Sequence, residues 1–347
     1  MNFNIDQLLR DNIRKLKPYS SARDEFSGNA EVFLDANENP YNSPWNRYPD
    51  PRQVKLKEIV EEIKNISSDN IFLGNGSDEP IDLLIRAFCE PGRDNIVAIS
   101  PTYGMYKVAA DVNDITVTEV PLTDDFELNS ADLLKAVSGN SKLIFLCSPN
   151  NPSGNALDHD SIVQVVNNFN GIVVVDEAYI DFCPEKSFLP FLDRYPNLVI
   201  LQTFSKAWGM AGLRLGMAFA SPAIINVLSR IKYPYNLSVL TQQKAMELLP
   251  SDKKHEWVKI ILEERLKLRE ELSQLPFVLK VYPSDSNFIL VKMENVKDIY
   301  QHLVKENIIV RDRSSVFLCG GCIRVSVGSP EENNKLLKAL KKFSNTK

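Results

Sequence analysis

Three segments of the sequence decide the fold: KLIFLCSPNNPSG at residues 142–154, IVVVDEAY at residues 172–179 and LVILQTFSK at residues 198–206. Each begins with a nearly continuous run of Val, Ile, Leu or Phe, which is typical of a strand buried on both faces of a parallel sheet. Each run is followed by polar residues. Because parallel strands end at one edge of the sheet, where ligands of open α/β folds bind, we expect those polar residues to lie together.

The same alternation extends from about residue 71 to residue 220. Further strands are predicted at 71–73, 95–99, 115–120 and 215–220, and amphipathic helices at 79–88, 130–137 and 158–169. This order of elements predicts an α/β fold whose mainly parallel sheet is covered by helices on both faces.

A different pattern begins near Pro250. A long, densely charged helix is predicted at 251–275, followed by strands at 278–282, 287–291, 308–310 and 323–327 and helices at 296–305 and 330–343. This is an α+β pattern, and a chain of 347 residues exceeds the usual size of a single core. We therefore expect an N-terminal arm (residues 1–30), a large α/β domain (31–250) and a smaller C-terminal α+β domain (251–347).

Composition argues against several classes of function. The net charge of −5, without a Lys/Arg stripe, argues against a nucleic-acid partner. No apolar run reaches the roughly 18 residues that span a bilayer, and the N-terminus lacks the apolar core of a signal peptide. We therefore expect a cytoplasmic protein whose partners are small molecules, with no membrane association.

The five cysteines are too scattered for a disulfide framework. Cys319 and Cys322 have the spacing of a redox pair or of half a zinc site, but no second pair exists and the three histidines are dispersed. A glycine turn before a strand is the simpler interpretation, so no metal is expected.

The polar residues at the predicted sheet edge match the needs of a pyridine-ring cofactor that carries an aldehyde and a phosphate. Asp176 could pair with the ring nitrogen and keep it protonated. Tyr179 and Asn151 could donate hydrogen bonds to the phenolic oxygen of the ring. The amine of Lys206 could react with the aldehyde, because burial readily lowers the pKa of a lysine.

A phosphate site is predicted beside these residues. Thr203, Ser205 and Arg214 supply hydroxyls and a planar cation. Gly76-Ser77 opens a helix whose backbone N–H groups can approach an anion. Each feature alone has an ordinary interpretation, as a turn, a helix cap or a surface lysine. Their occurrence at successive strand ends favours a cofactor site.

At these residues the sequence resembles the fold-type I pyridoxal-phosphate (PLP) aminotransferases. The shared motifs are, in order, Asn151-Pro-Ser-Gly154, Asp176-Glu-Ala-Tyr179, Ser205-Lys206, Arg214 and Arg324-Val-Ser-Val-Gly328. The resemblance covers nearly the whole chain and implies PLP as the cofactor, bound as a Schiff base to Lys206. It also implies ring contacts from Asp176, Tyr179 and Asn151, an aromatic ring stacked on the cofactor from Tyr103, and phosphate contacts from Gly76, Ser77, Ser205 and Arg214.

Longer runs narrow the resemblance to the histidinol-phosphate aminotransferase family. They lie at 17–23, 34–40, 46–50, 79–92, 147–154, 176–184 and 309–312. The family exchanges an amino group between L-histidinol phosphate and 2-oxoglutarate in histidine biosynthesis. By resemblance, Arg324 and Arg311 bind the anionic groups of the substrates, and Tyr19 and Asn37 lie in an arm that folds over them. Tyr48 would reach the cofactor phosphate of a neighbouring subunit, which implies a homodimer.

The sequence leaves other functions open. An aromatic amino-acid aminotransferase would use the same cofactor residues, and a threonine-phosphate decarboxylase would also bind a phosphorylated amine. A non-catalytic PLP-binding regulatory module would be expected to carry a DNA-binding extension, whereas only about 30 residues precede the predicted fold. A dehydrogenase is less compatible, because the glycine fingerprint for dinucleotides is absent.

Overall fold

A seven-stranded sheet forms the centre of residues 71–220 in the computed structural model, which describes residues 4–19, 31–251 and 253–344. Its strands run in the spatial order β1-β7-β6-β5-β4-β2-β3. Strand β7 is antiparallel to β1 and β6, and the other neighbouring pairs are parallel, which confirms the mainly parallel sheet. The strands are β1 (Ile71–Asn75), β2 (Asn95–Ser100), β3 (Thr116–Pro121), β4 (Ser141–Cys147), β5 (Ile172–Asp176), β6 (Leu198–Thr203) and β7 (Leu215–Ala220).

Strand β5 shows why these strands are apolar at every position. Val173 and Val175 belong to the buried cluster on one face of the sheet, whereas Ile172 and Val174 belong to the cluster on the other face. Helices cover both faces, so no side of the strand meets water. In the described ranges before residue 252 the α-helices are α1 (Ile5–Leu8), α2 (Asp11–Arg14), α3 (Val54–Lys64), α4 (Asp78–Phe88), α5 (Met105–Val112), α6 (Ser130–Lys135), α7 (His159–Asn168), α8 (Pro222–Ile231) and α9 (Val239–Leu248).

A second, four-stranded sheet lies in the C-terminal part of the chain. Its order is β10-β11-β9-β8, all antiparallel, and a third apolar cluster fills the space between it and its helices. Its elements are α10 (Lys253–Ser273), β8 (Val278–Val281), β9 (Phe288–Met293), α11 (Val296–Lys305), β10 (Arg311–Asp312), β11 (Cys322–Ser326) and α12 (Pro330–Ser344).

The strand predicted at 308–310 is wrong: the strand consists of residues 311 and 312 instead. The N–H of Ile308 bonds to the carbonyl of Leu303 at 2.8 Å, which closes the end of helix α11. Ile308 and Val310 pack against the small core while Ile309 is exposed. The apolar run is therefore a connection between helix and strand.

Four sequence expectations concern features other than the two sheets. Of the predicted N-terminal arm, residues 1–3 and 20–30 lie outside the described residues. Within the described parts of the chain, no helix is long and apolar enough to cross a bilayer, and no three His, Cys, Asp or Glu side chains are grouped to hold a metal ion. Cys319 and Cys322 are buried free thiols on either side of a turn in which Gly321 has φ +74°, and β11 begins at Cys322, as the turn interpretation expects.

Candidate active site

The carboxyl ends of the adjacent strands β4, β5 and β6 meet at one cavity. We call it the Lys206 cavity. Nine of the residues predicted from sequence line it, together with Asp78, Cys147 and Ala178. The nine are Ser77, Tyr103, Asn151, Asp176, Tyr179, Thr203, Ser205, Lys206 and Arg214.

Lys206 follows β6 and presents its amine to the interior of this cavity. Its Nζ lies 5.3 Å from the centre of the Tyr179 ring. Burial lowers the pKa of Lys206, and the positive charge of Arg324 lowers it further. A lysine of lowered pKa is a better nucleophile near neutral pH, because more of it is present as the free amine.

Asp176 ends strand β5 and is almost completely buried. Its Oδ2 accepts a 2.6 Å hydrogen bond from the hydroxyl of Tyr106, and its Oδ1 accepts one of 3.0 Å from the N–H of Ala178. Burial raises the pKa of Asp176 to about 6, and the bond from Tyr106 opposes that rise. Among the described residues no cationic side chain forms an ion pair with this carboxylate. The site therefore fits a ligand with a positively charged ring nitrogen.

Asn151 and Tyr179 lie on the wall beside Lys206. The Nδ2 of Asn151 lies 3.5 Å from the hydroxyl of Tyr179, and its Oδ1 accepts a short hydrogen bond from Arg324. Burial raises the pKa of Tyr179, so its hydroxyl stays protonated and can donate a hydrogen bond. Arg324 lies on β11, so this contact connects the small sheet to the turn after β4.

A set of hydroxyls and a guanidinium forms the other end of the cavity. The hydroxyl of Thr203 donates to that of Ser205 at 3.0 Å, and Arg214 forms a 3.3 Å ion pair with Asp78 at the start of helix α4. Gly76 has φ +72°, and a Cβ there would lie 2.5 Å from the guanidinium of Arg214. The missing side chain thus leaves room for Arg214 beside the helix start, which suits a phosphate group.

Tyr103 is the aromatic residue of the cavity wall. Its hydroxyl donates to Asp78 at 3.1 Å, and its ring meets that of Tyr106 edge-on with the centres 5.6 Å apart. These contacts fix the ring at the cavity surface, where a planar ligand can stack on it.

The remaining predicted residues lie apart from this cavity within the single chain. Tyr48 is half exposed and stacks on Tyr235 with ring centres 4.4 Å apart. Tyr19 is 72% exposed and lines a separate cleft. Asn37 is exposed, and so is Arg311, which pairs in register with Arg324 across β10 and β11.

Sequence reasoning missed two residues of the site. The hydroxyl of Tyr106 donates a hydrogen bond to Asp176. Asp78 accepts hydrogen bonds from both Tyr103 and Arg214. A signal for Tyr106 was present: it lies three residues after Tyr103, so the two share one side of the helix start. Asp78 reads as an ordinary acidic residue in the first turn of a helix, and its partners are distant in sequence.

Comparisons with known proteins agree with this geometry. The aminotransferase class I and II family matches residues 25–340. A histidinol-phosphate aminotransferase of Bacteroides fragilis is 59% identical, over 98% of this chain and 99% of its own length. One from Cytophaga hutchinsonii is 55% identical, over 99% and 100%. The crystal structure of a histidinol-phosphate aminotransferase from Sinorhizobium meliloti in complex with pyridoxal-5'-phosphate superimposes with a TM-score of 0.79 at 25% identity, covering 86% of this chain and 83% of that one. The chain belongs to the class I and II aminotransferase family.

Proposed function

We propose that this chain transfers an amino group between L-histidinol phosphate and 2-oxoglutarate, giving imidazole acetol phosphate and L-glutamate, in histidine biosynthesis. The observation that carries the chemistry is the Lys206 cavity, where a lysine of lowered pKa shares one wall with a buried carboxylate that has no cationic partner. Near-complete relatives of this specificity, at 55% and 59% identity, support the substrate.

The cofactor is pyridoxal 5'-phosphate, and the residues present fit it. When bound, the cofactor supplies an aldehyde that reacts with amines and a protonated pyridine ring that accepts electrons. Asp176 would hold the proton on the ring nitrogen, and Tyr179 and Asn151 would donate to the ring oxygen. The phosphate would lie against the backbone of Gly76-Ser77 and the side chains of Thr203, Ser205 and Arg214.

Lys206 has two tasks in this proposal. Its Nζ would hold the cofactor through the aldehyde, and as a free amine it would take the proton from the substrate carbon that bears the amine. Both tasks require the unprotonated amine. Burial beside Arg324 favours that form.

Anion recognition is assigned to the small sheet. Arg324, held by Asn151, would accept either the carboxylate of glutamate or the phosphate of the second substrate, because guanidinium binds both in a bidentate manner. Arg311 would assist from the neighbouring strand, and Tyr19 and Asn37 would belong to an arm over the substrate. This assignment keeps the division into an arm (1–30), a large domain (31–250) and a small domain (251–347).

We also propose a cytoplasmic homodimer. Tyr48 is half exposed and apart from the Lys206 cavity of its own chain, which is compatible with a role at the cofactor phosphate of a second subunit. Sedimentation should give twice the mass of one chain. Tyr48→Phe should weaken cofactor binding without changing that mass, whereas unchanged cofactor affinity would contradict the role of this hydroxyl.

A half-reaction tests the substrate. Purified holoenzyme is mixed separately with histidinol phosphate, phenylalanine and threonine phosphate, and the loss of the cofactor's visible absorbance is followed. We expect histidinol phosphate to react with the highest kcat/KM. Faster reaction with phenylalanine would favour an aromatic aminotransferase, and carbon dioxide release from threonine phosphate a decarboxylase. No spectral change with any amine would favour a non-catalytic PLP-binding module.

A further inference from the structure

Arg313 lies where a second cavity adjoins the Lys206 cavity. Its N–H donates to the carbonyl of Cys322 at 2.9 Å, which extends the pairing of β10 with β11 by one residue. Its side chain lines a cavity of about 430 Å³, which we call the side cavity, together with Tyr103, Tyr106, Asn151 and Phe317. Because Tyr103 and Asn151 line both cavities, Arg313 is close to the reaction site.

The guanidinium of Arg313 is left without a partner by the part of the chain that the structure describes. Its Nε is buried and makes no hydrogen bond, and no carboxylate there forms an ion pair with it. Asp312, the adjacent acid, accepts instead from the N–H and hydroxyl of Ser314, at 2.8 and 2.6 Å.

The acids that line the side cavity have partners of their own. Glu119 accepts from the hydroxyl of Ser100 at 2.9 Å, and Asp111 pairs with Lys107 at 3.0 Å. The charge of Arg313 is therefore not compensated within the cavity. A buried or half-buried charge without a partner is costly unless a ligand supplies one.

Two other arginines lie near Arg313. Burial lowers its pKa, and the positive charges of Arg324 and Arg311 lower it further. In the β10–β11 register Arg311 lies opposite Arg324 and Arg313 lies opposite Cys322, so the three arginines are on one face of the small sheet. Neighbouring arginines on one face suit the recognition of a multiply charged anion.

We propose that Arg313 is a specificity-determining residue that, with Arg324, binds the phosphate dianion of the phosphorylated amine substrate. This inference rests on the proposed function. A phosphate carries up to two charges on three exposed oxygens, so it engages two guanidinium groups at once. The glutamate carboxylate that Arg324 binds in the same place carries one charge on two oxygens and does not require Arg313. Arg313 thus distinguishes the two substrates that the site serves in turn.

Steady-state kinetics of Arg313→Gln holoenzyme test the proposal. We expect the KM for histidinol phosphate to rise about 10- to 100-fold, with the KM for glutamate and both kcat values within about threefold. Arg313→Lys keeps the positive charge but loses the planar guanidinium that can donate two parallel hydrogen bonds. The KM of this variant for histidinol phosphate should therefore lie between the values for Arg313→Gln and the wild type. If Arg313→Gln does not fold, the KM values of Arg313→Lys are compared with those of the wild type instead.

Lys107→Gln is the matched control. It removes a positive charge from the same cavity, but that charge is already paired with Asp111. We expect it to leave both KM values unchanged. An equal rise of the two KM values in Arg313→Gln, no rise at all, a lysine variant no better than the glutamine variant, or the same effect from Lys107→Gln would each overturn the proposal.

Inorganic phosphate separates this proposal from the proposed function. It is added as a competitor in the glutamate half-reaction of the holoenzyme, where histidinol phosphate is absent. We expect its inhibition constant to rise about tenfold or more in Arg313→Gln while the KM for glutamate is unchanged. If the wild type does not react with histidinol phosphate, the proposed function fails, but the shift in this constant still decides the role of Arg313. An unchanged constant rejects it.

Discussion

The hydroxyl of Tyr106 donates a 2.6 Å hydrogen bond to the Oδ2 of Asp176, beneath the floor of the Lys206 cavity. Tyr106 is fully buried and stacks on Phe145 with ring centres 4.8 Å apart. The tyrosine is therefore held in place by its packing, and it orients the carboxylate that we propose to pair with the cofactor ring. Its role is one of positioning, since it acts through Asp176.

Tyr106→Phe should weaken cofactor binding in a pH-dependent manner. Without the hydroxyl, Asp176 loses a donor that stabilises its ionised form, so its pKa rises above the value of about 6 that it has with Tyr106 in place. A larger fraction is then protonated and cannot pair with the ring nitrogen at mildly acidic pH. We expect the Kd of the cofactor to rise about 3- to 10-fold, mostly below pH 7, in titrations from pH 5.5 to 8. The same Kd profile as wild type would show that the bond is not functional.

Lys206→Ala should abolish turnover. The loss should exceed about 10³-fold, because both covalent attachment and proton transfer are removed. Lys206→Arg keeps the positive charge but cannot react with the aldehyde, so it should be as inactive as the alanine variant. Absorbance spectra of the bound cofactor, with assays of 2-oxoglutarate formation from glutamate, check both. Turnover near the wild-type rate in either variant would refute the assigned role.

Gly216→Ala should damage the phosphate end of the cavity. A Cβ at this position in β7 would lie 2.3 Å from backbone atoms of Gly76 and Ser77, which a strand cannot easily move. We expect about a tenfold loss of cofactor affinity and about 1–3 kcal/mol less free energy of unfolding. Gly212→Ala is the control, because a Cβ there meets no atom within 4 Å. Fluorescence titration and chemical denaturation measure the two effects, and equal behaviour of both variants would contradict the steric argument.

Glu177→Gln should flatten the dependence of stability on pH in protein stripped of cofactor. Burial raises the pKa of Glu177 from about 4.5 to about 7, so between these values the folded chain binds more protons than the unfolded chain. The free energy of unfolding therefore falls as the pH rises through that window. A glutamine does not titrate, so the variant should lose the part of this pH dependence that is due to Glu177, roughly 1–3 kcal/mol of the free energy of unfolding between pH 5 and 8.

The local hydrogen bonds allow this substitution. Glu177 accepts from Ser187, Phe188 and Gln202, and the Oε1 of Gln202 is buried without a hydrogen-bond partner. Rotation of the Gln202 amide would present that oxygen to the new glutamine. The measurement is the midpoint of urea denaturation as a function of pH. Glu185→Gln, at an exposed position, is the control and should leave the slope of this plot unchanged. An unaltered slope in Glu177→Gln would contradict the expectation.

The sequence predicted the sheet well, because burial on both faces leaves a continuous apolar run at β2, β4, β5 and β6. It did not predict helices α3, α5, α8 and α9. Helix α9, for example, buries only Gln242 and Ala245, so its apolar pattern is weak. The displaced strand β10 is two residues long and owes its place to pairing with β11, which no local pattern encodes.

The residues of the site that follow β4, β5 and β6 could be predicted because the topology brings those strand ends together. The contacts of Tyr106 and Arg313 could not be predicted, since each contact joins segments that are distant in sequence. The position of Tyr106 depends on Asp176, seventy residues away, and that of Arg313 on the packing of β10 beside the turn after β4. Tyr48 and Tyr19 were placed by resemblance, and a single chain provides no partner surface against which to test them.

The hydrogen bond from Arg324 to Asn151 decides which way round the amide of Asn151 is held. A guanidinium can only donate, so the amide must turn its oxygen toward Arg324 and its NH2 toward Tyr179 and the cofactor ring. Loss of Arg324 would therefore remove more than its proposed substrate contact. Without Arg324 the amide of Asn151 could rotate by half a turn. Its oxygen, which can only accept a hydrogen bond, would then face the ring oxygen in place of the NH2 group that donates one. The proposed hydrogen bond from Asn151 to the ring oxygen would thus depend on an arginine of the small sheet.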